Sequence, residues 1–561
     1  MAVHGPDYPP TYFGLADYRG LIYGHVSLMI LAWVFVLPIA VMLSIAKSRL
    51  TLVVHFVFLA VNASGVLLSV MYNSQTPDLY PNNAHHKIGW IITAAMSAQV
   101  LVHLLGRRMC AMADRRYRSS NQAGDCSSIS HTGDWQRVYT MYQGGEACRL
   151  SAGCVQGAEH GAVSVRNNSV TTLNGEEPSL DDQDDGFDDS EAVAGFLKPV
   201  ELPFLSTDII ATERMRVILS RVWKYVVCVY RVTDRMILPF GFVALTTGII
   251  TFGRFFEGNA VFSGLAHWVK GGVFFWLGLL TLGRWTGSFA DIGWAWNLSP
   301  VNLQEKPWCP SAEFTESALI FIYGCTNIFL EHLGSWGGDW SSQDLQHLAI
   351  TVLFLGGGLC GMLIESAAVR SLLNTTASDT APEDTSAEAM KRWNPPETYQ
   401  LSLNPIPALV ILLLGIMMST HHQETPMSTM VHRQWGNMLL GASSARVLTY
   451  LLLFLRPPKS VFPSRPPTEL LASFCLITGG IIFMASSSDT IDGMIHYNLD
   501  VMFMYTITMG LAGFLMAWEI LVLAIKGWAM RLSWSSVMLS HEEDIGADLW
   551  NDTNKSGLDV T

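Results

Sequence analysis

Several ordinary features of a globular chain are scarce in these 561 residues. Only 14% are charged, and half are hydrophobic. Mean hydropathy is positive, which a soluble chain of this length does not usually show. The nine cysteines form no CxxC pair, so neither a thiol redox motif nor a cysteine zinc ribbon is present. Cys110, Cys126, Cys148 and Cys154 fall in segments read below as cytosolic, which argues against a disulfide framework. There is no clustered basic patch, and with it no support for a nucleic-acid partner. The first twenty residues, MAVHGPDYPPTYFGLADYRG, lack the basic start and apolar core of a signal peptide. No nucleophile elbow, P-loop or dinucleotide fingerprint appears.

What is present is a series of long apolar runs. A helix needs about 20 such residues to cross a hydrocarbon core. Runs lie near 22–46, 51–72, 88–105, 236–253, 265–283, 316–331, 347–366, 404–420, 435–455, 469–487 and 498–525. The expected fold is all-α and polytopic, with about eleven transmembrane helices and the lipid bilayer as its first partner. Gly356–Gly358, inside one run, read as close helix packing and not as a phosphate loop.

Short loops set the orientation through their Lys and Arg. Lys47, Arg49, Arg107, Arg108, Arg231, Arg235, Arg284, Arg370, Lys391, Arg392, Arg456, Lys459, Arg465, Lys526 and Arg531 all fall on one side if the N-terminus is outside. The alternate loops are nearly free of bases. This predicts an outside N-terminus and a cytosolic C-terminus. The sequons at Asn167, Asn297, Asn374, Asn551 and Asn554 would then all be cytosolic and silent. A secretory-pathway or plasma membrane is expected ahead of a mitochondrial one.

Composition divides the chain into a three-span module over 1–106, a polar and largely disordered cytosolic loop over 107–235, an eight-span domain over 236–533 and a disordered cytosolic tail over 534–561. The loop holds nine acidic residues between Glu176 and Glu191 and no base among them. That tract supplies most of the net charge of −13 and cannot bury enough apolar area to order itself.

The histidines carry the clearest chemical signal. With this topology, eleven of sixteen sit at outer span ends or in outer loops. Ionisable groups near a membrane core are costly, and histidine suits haem, metal or proton chemistry. His25 and His85 open the first and third spans at similar depth, and Gly89 lies one turn past His85. Two facing imidazoles with a small residue nearby are what a haem b iron requires. A second set could hold a transition-metal ion or relay protons: His267, His332, Asp344, His347, His421, His432, Asp492 and His496. Asp344 and His347 are three apart, and Asp492 and His496 four apart, so each pair shares a helix face. The bland alternative is that these groups hydrogen-bond neighbouring helices, pair as salt bridges or cap helix starts. It extends to Arg446, Asp500 and Glu519, which lie near or within spans.

The spacing of His25, Trp33 and Pro38, followed by His85, Gly89 and Gln99, resembles the transmembrane di-haem b-type cytochromes of the ascorbate-linked ferrireductase superfamily. That likeness covers about 85 residues. It implies His25 and His85 as one axial pair and His55 as half of another. Its fourth ligand should come from the next span, 236–253, which has no histidine. Over its whole length the chain resembles the fungal Ytp-one-like integral membrane proteins, through TPDLYPNNAHHKIGW (76–90), LAHWVKGGVFFWLGLLTLGR (265–284), FPSRPPTELLASF (462–474) and the HHQ–HRQWG region (421–436). That resemblance implies the membrane fold and little mechanism. A weaker likeness joins 325–366 to the animal family called transmembrane protein forty-five, through Glu331, Asp344, His347 and Glu365. The competing readings are a haem-linked redox protein, a metal or proton transporter or sensor, and a membrane scaffold.

Overall fold

A computed structural model describes residues 8–122, 213–258, 260–300, 310–330, 338–340, 342–375, 396–420, 423 and 425–556. Among these residues there is no strand. Each of the eleven apolar runs is helical. They form α1 (Arg19–Ile45), α2 (Thr51–Gln75), α3 (Ala84–Gln122), α4 (Glu213–Gly253), α5 (Ala260–Thr286), α6 (Ala312–Leu330), α7 (Ser342–Glu365), α9 (Ile406–Thr420), α10 (Pro426–Leu455), α11 (Pro467–Ala485) and α13 (Val501–Ser556). Two short helices, α8 (Ala367–Leu373) and α12 (Ser488–His496), lie between them.

Nine of the helices among the described residues are long and apolar enough to cross a membrane. The two others that sequence counted are α6 and α9. The first carries Glu313 and Glu316 in its opening turns, and the second has 15 residues. The multi-pass membrane architecture stands, and the count of eleven spans becomes nine plus these two. Helix also extends past the apolar runs: α3 continues to Gln122, α4 begins at Glu213 and α13 reaches Ser556. The middle of the acidic loop, 123–212, lies outside the described residues.

Contacts divide the chain into two compact units. The smaller contains 24–68, 86–243 and 528–561. Inside α1, residues Leu31–Val36 form a π-helical turn just before Pro38, which has no N–H to continue the regular ladder. Trp33 sits in that turn. Its indole donates to Asn62 on α2 (3.0 Å), and Asn62 donates to Thr93 on α3 (3.2 Å). Gly241 on α4 lies against the same ring: a Cβ there would stand 2.7 Å from it. One tryptophan thus pins four helices of this unit.

The larger unit contains 1–23, 69–85 and 244–527. Here α5 packs on α11, α11 on α10, α10 on α9, and α7 on both α6 and α9. Glycine makes the closest approaches. A Cβ on Gly480 would lie 2.5 Å from the Phe275 nitrogen, and one on Gly358 would lie 2.5 Å from the Phe321 nitrogen. The Gly356–Gly358 run is therefore a packing seam at Gly358, as its sequence suggests. The core of this unit is built on Trp435, stacked on Phe483 at 4.1 Å, with Leu439, Leu476 and Ile482 around them.

Candidate functional site

The histidines singled out by sequence divide into three groups in the structure. In the smaller unit, the His25 ring donates from Nδ1 to the Gly65 carbonyl on α2 (2.9 Å), and His55 donates to Thr51 one turn back (2.8 Å). His55 Nε2 is buried without a partner. It faces a gap lined by Leu52, Gln99, Val100, His103 and Tyr230. That gap has a cavity volume of about 0 Å³, too little to hold a water molecule. Gln99, the last residue of the cytochrome-like spacing, donates to Asp234 (3.0 Å), which also accepts from Ser44 (3.1 Å). In the larger unit, His85 lies in a notch on α4 at Gly248 and bonds the Ala244 carbonyl (3.2 Å). His25 and His85 are each seated on a neighbouring helix as packing histidines are, and the haem redox reading gains no support.

The outer histidines are partly brought together. His267 on α5 and His432 on α10 stand edge to face, with centroids 6.1 Å apart. His432 donates from Nδ1 to the Ser428 carbonyl (2.9 Å). His496 is stacked on Tyr8 at 4.4 Å, away from any carboxylate partnership with Asp492. Burial, and then the Asp489 charge, push the Asp492 carboxyl above its ordinary range. His347 is half-buried on α7. His332, His421 and the Asp344 side chain lie outside the described residues. Among the described residues no three metal-ligating groups converge.

The strongest arrangement of charge is one the sequence reading did not assemble. It joins α5, α6, α10 and α11 at one end of the larger unit. Arg284, in the last turn of α5, donates to Glu313 (2.8 Å), Glu316 (3.0 Å) and the Trp294 carbonyl (2.8 Å). Arg446, well inside α10, donates to Glu469 (2.9 Å), to Thr281 (3.2 Å) and to both oxygens of Glu316 (3.4 Å). The Tyr450 hydroxyl reaches Glu313 (3.4 Å). Arg284 is 2% exposed, Glu313 3% and Glu469 0%. Arg284 is thus a buried ion-pair partner, which corrects its use as a free cytosolic base in setting orientation.

Local sequence explains the placement. Glu313 and Glu469 stand in the first turns of α6 and α11, and Arg284 in the last turn of α5, each at the helix end whose dipole favours its charge. Glu313 and Glu316 are three apart, so they share a face. Glu365, at the end of α7, accepts from Ser311 just ahead of α6 (2.6 Å) and extends the acidic edge.

A loop closes this end. Trp296 lies over Arg284 at 4.3 Å and Arg446 at 5.7 Å, its indole face toward both cations. Its backbone is left-handed (φ 50°), a costly conformation for a bulky residue. The buried Asn297 side chain holds the loop by donating to the carbonyls of Ala290, Leu298 and Val461. Ser464 adds a bond to the Trp296 carbonyl (2.6 Å). Asn297 is therefore spent on structure, and its sequon is inaccessible in the folded chain. The signal that could have found this site was the recurrence of acids at the starts of two apolar runs and bases inside or ending two others.

The comparisons with known proteins agree with the fold. The family described as Protein YTP1-like, C-terminal, matches residues 240–527, and a domain of unknown function, DUF2427, matches 7–107. An uncharacterized membrane protein of Schizosaccharomyces pombe is 32% identical over 514 residues, covering 90% of this chain and 93% of that protein. The chain belongs to the YTP1-like family of membrane proteins. A second uncharacterized membrane protein, from Saccharomyces cerevisiae, is 40% identical over 303 residues, 52% of this chain and 46% of its own. Protein YTP1 of the same yeast is 25% identical over 190 residues, a third of each chain. No solved structure matches. The YTP1-like match encloses every residue of the arginine–glutamate network.

The network makes a stability prediction. Glu469 is the closest partner of Arg446, and its loss leaves Arg446 only the longer contacts to Glu316 and Thr281, at a cost of up to about 3 kcal/mol. Glu469→Ala should lower the unfolding temperature of the detergent-purified protein clearly, and Glu469→Gln less, because the amide still accepts from Arg446. Equal melting of wild type and Glu469→Ala would show that the pair contributes nothing.

Proposed function

We propose that this protein is a proton transporter whose binding centre is the arginine–glutamate network. One observation carries the reading. Two arginines meet three glutamates in a buried site, which leaves one negative charge unbalanced. An uncompensated charge inside a bundle of apolar helices is expensive, so the site takes up a proton or another cation. Glu316 is the natural carrier. It is the carboxylate shared by both arginines, and at 10% side-chain exposure it is the most open of the three.

The juxtaposed His267 and His432 favour a second reading, a transition-metal ion held between α5 and α10. For either reading we place the protein in a secretory-pathway or plasma membrane, N-terminus outside and C-terminus cytosolic. The nearly base-free alternate loops support that orientation.

Reconstituted into vesicles under a potassium-diffusion potential, the wild type should acidify the lumen faster than protein-free vesicles, as read by a pH-sensitive dye. Glu316→Gln, which neutralises the surplus charge and keeps a hydrogen-bonding side chain, should abolish that difference. A folded wild type that behaves like empty vesicles would remove the transport reading. The metal reading predicts zinc, copper or iron by elemental analysis of the purified protein, lost in His432→Ala. Metal-free wild type from metal-replete cells would exclude it. For the orientation, protease added to sealed cells should spare a C-terminal tag and cut it after permeabilisation, and the reverse order would invert the topology.

A further inference from the structure

Glu519 stands apart from the network yet close to it. It lies near the centre of the apolar stretch Val501–Leu532 of α13, the region long enough to span a membrane. Its Oε1 faces α5 at Gly283, 3.6 Å from where a Cβ on that glycine would be. Its Oε2 is buried and has no hydrogen-bond partner. The nearest base on α5 is Arg284, the next residue along the chain, and its guanidinium is committed to Glu313, Glu316 and Trp294. On α13 itself the next bases are Lys526 and Arg531, about two and three turns further on and both with contacts of their own. No ion pair to Glu519 exists among the described residues, so the salt-bridge reading of this residue does not apply.

A bare carboxylate in such a place would lose its hydration and gain nothing in return. An alanine or leucine would fill the same space without that cost, and neutral amides are available to a chain that needs only polarity. We infer that Glu519 is a second proton-binding site, a carboxyl that carries its proton against the Gly283 face of α5. The glycine matters because a side chain there would occupy the space beside Oε1. The arrangement sets a protonatable group against Gly283, the residue next to Arg284 on α5. This deepens the proton-transport reading and rests on it for its role, while the binding site itself is tested separately.

A hydrophobic carbodiimide provides that test. The O–H of a protonated carboxylic acid adds across its C=N bond, and the O-acylisourea rearranges to a stable N-acylurea of known added mass. No oxidant or other reagent is required. The full-length protein in nonionic detergent should form this adduct on the peptide containing Glu519 after treatment with dicyclohexylcarbodiimide. Labelling should fall several-fold as the pH is raised, because only the protonated acid adds to the reagent. A water-soluble carbodiimide should label the same residue far less. Glu519→Asp should retain reactivity. Glu519→Gln should lose this adduct and keep the wild-type elution profile and melting temperature. An unmodified Glu519 in folded protein would overturn the inference, as would equal labelling by the water-soluble reagent, which would show a hydrated surface carboxylate. An adduct without proton flux in vesicles would keep the site and remove the transport reading. Flux without an adduct would do the opposite.

Discussion

A guanidinium enclosed by apolar helices has to be met by carboxylates, and the larger unit is organised around meeting two. Arg284 and Arg446 come from α5 and α10, and their partners from α6 and α11. Four helices must therefore end or pass at one level. Apolar contacts along these helices could slide, but a charge displaced by one turn would be left without a partner. Register between α5, α6, α10 and α11 is fixed by that demand. The glycine seam at Gly480 lets α5 and α11 approach closely, which brings their charged ends within reach.

Much of this could be read in the sequence, and the reason is the bilayer. A run of about 20 apolar residues has few alternatives to a helix, so all eleven runs are helical. Partnership between helices was less visible. Glu313, Glu316 and Glu469 sit at the edges of apolar runs, where an acid reads as an interfacial residue or a helix-start charge. Arg284 likewise reads as a loop base. Only the three-dimensional convergence of four ends turns these edge residues into one buried cluster. Local pattern cannot report that, since residues 284 and 446 are far apart in the chain.

The histidines present a different case. Their density on one side of the chain suggested shared chemistry, and several of the described rings bond backbone carbonyls. His25 bonds a carbonyl on α2, His85 a carbonyl on α4, and His432 a carbonyl in its own helix. An imidazole is useful here because Nδ1–H reaches a backbone oxygen while the rest of the ring packs as a flat, half-apolar body. The His25–Trp33–Pro38 spacing has a similar mechanical account. Pro38 interrupts the ladder, the π-helical turn absorbs the interruption, and the turn presents Trp33 to Asn62. The spacing shared with b-type cytochromes at these positions thus also has a role in helix packing.

Whether the arginine–glutamate cluster is only a clasp or also a working site depends on how its charges are shared. A pure clasp would be neutral and each base would own its acid. Here Glu316 is divided between two arginines, closer to Arg284 at 3.0 Å than to Arg446 at 3.4 Å, and one negative charge remains over. In the proposed mechanism a proton on Glu316 would remove that surplus and weaken its hold on both cations at once. Arg284 would keep Glu313, and Arg446 would keep Glu469, so neither guanidinium would be stranded. On the proposed reading, a proton on Glu316 would leave the cluster as two self-sufficient pairs, and its departure would join them again. Trp296 covers both arginines from a strained left-handed position, so its seat depends on the two cations standing side by side. The loop that carries it is anchored by Asn297 to the chain ahead of α11, the helix that supplies Glu469. If Glu316 carries a proton as proposed, its occupancy would be coupled to the spacing of the arginines and to the closure of this end, which is the physical requirement for a site that does more than hold helices together.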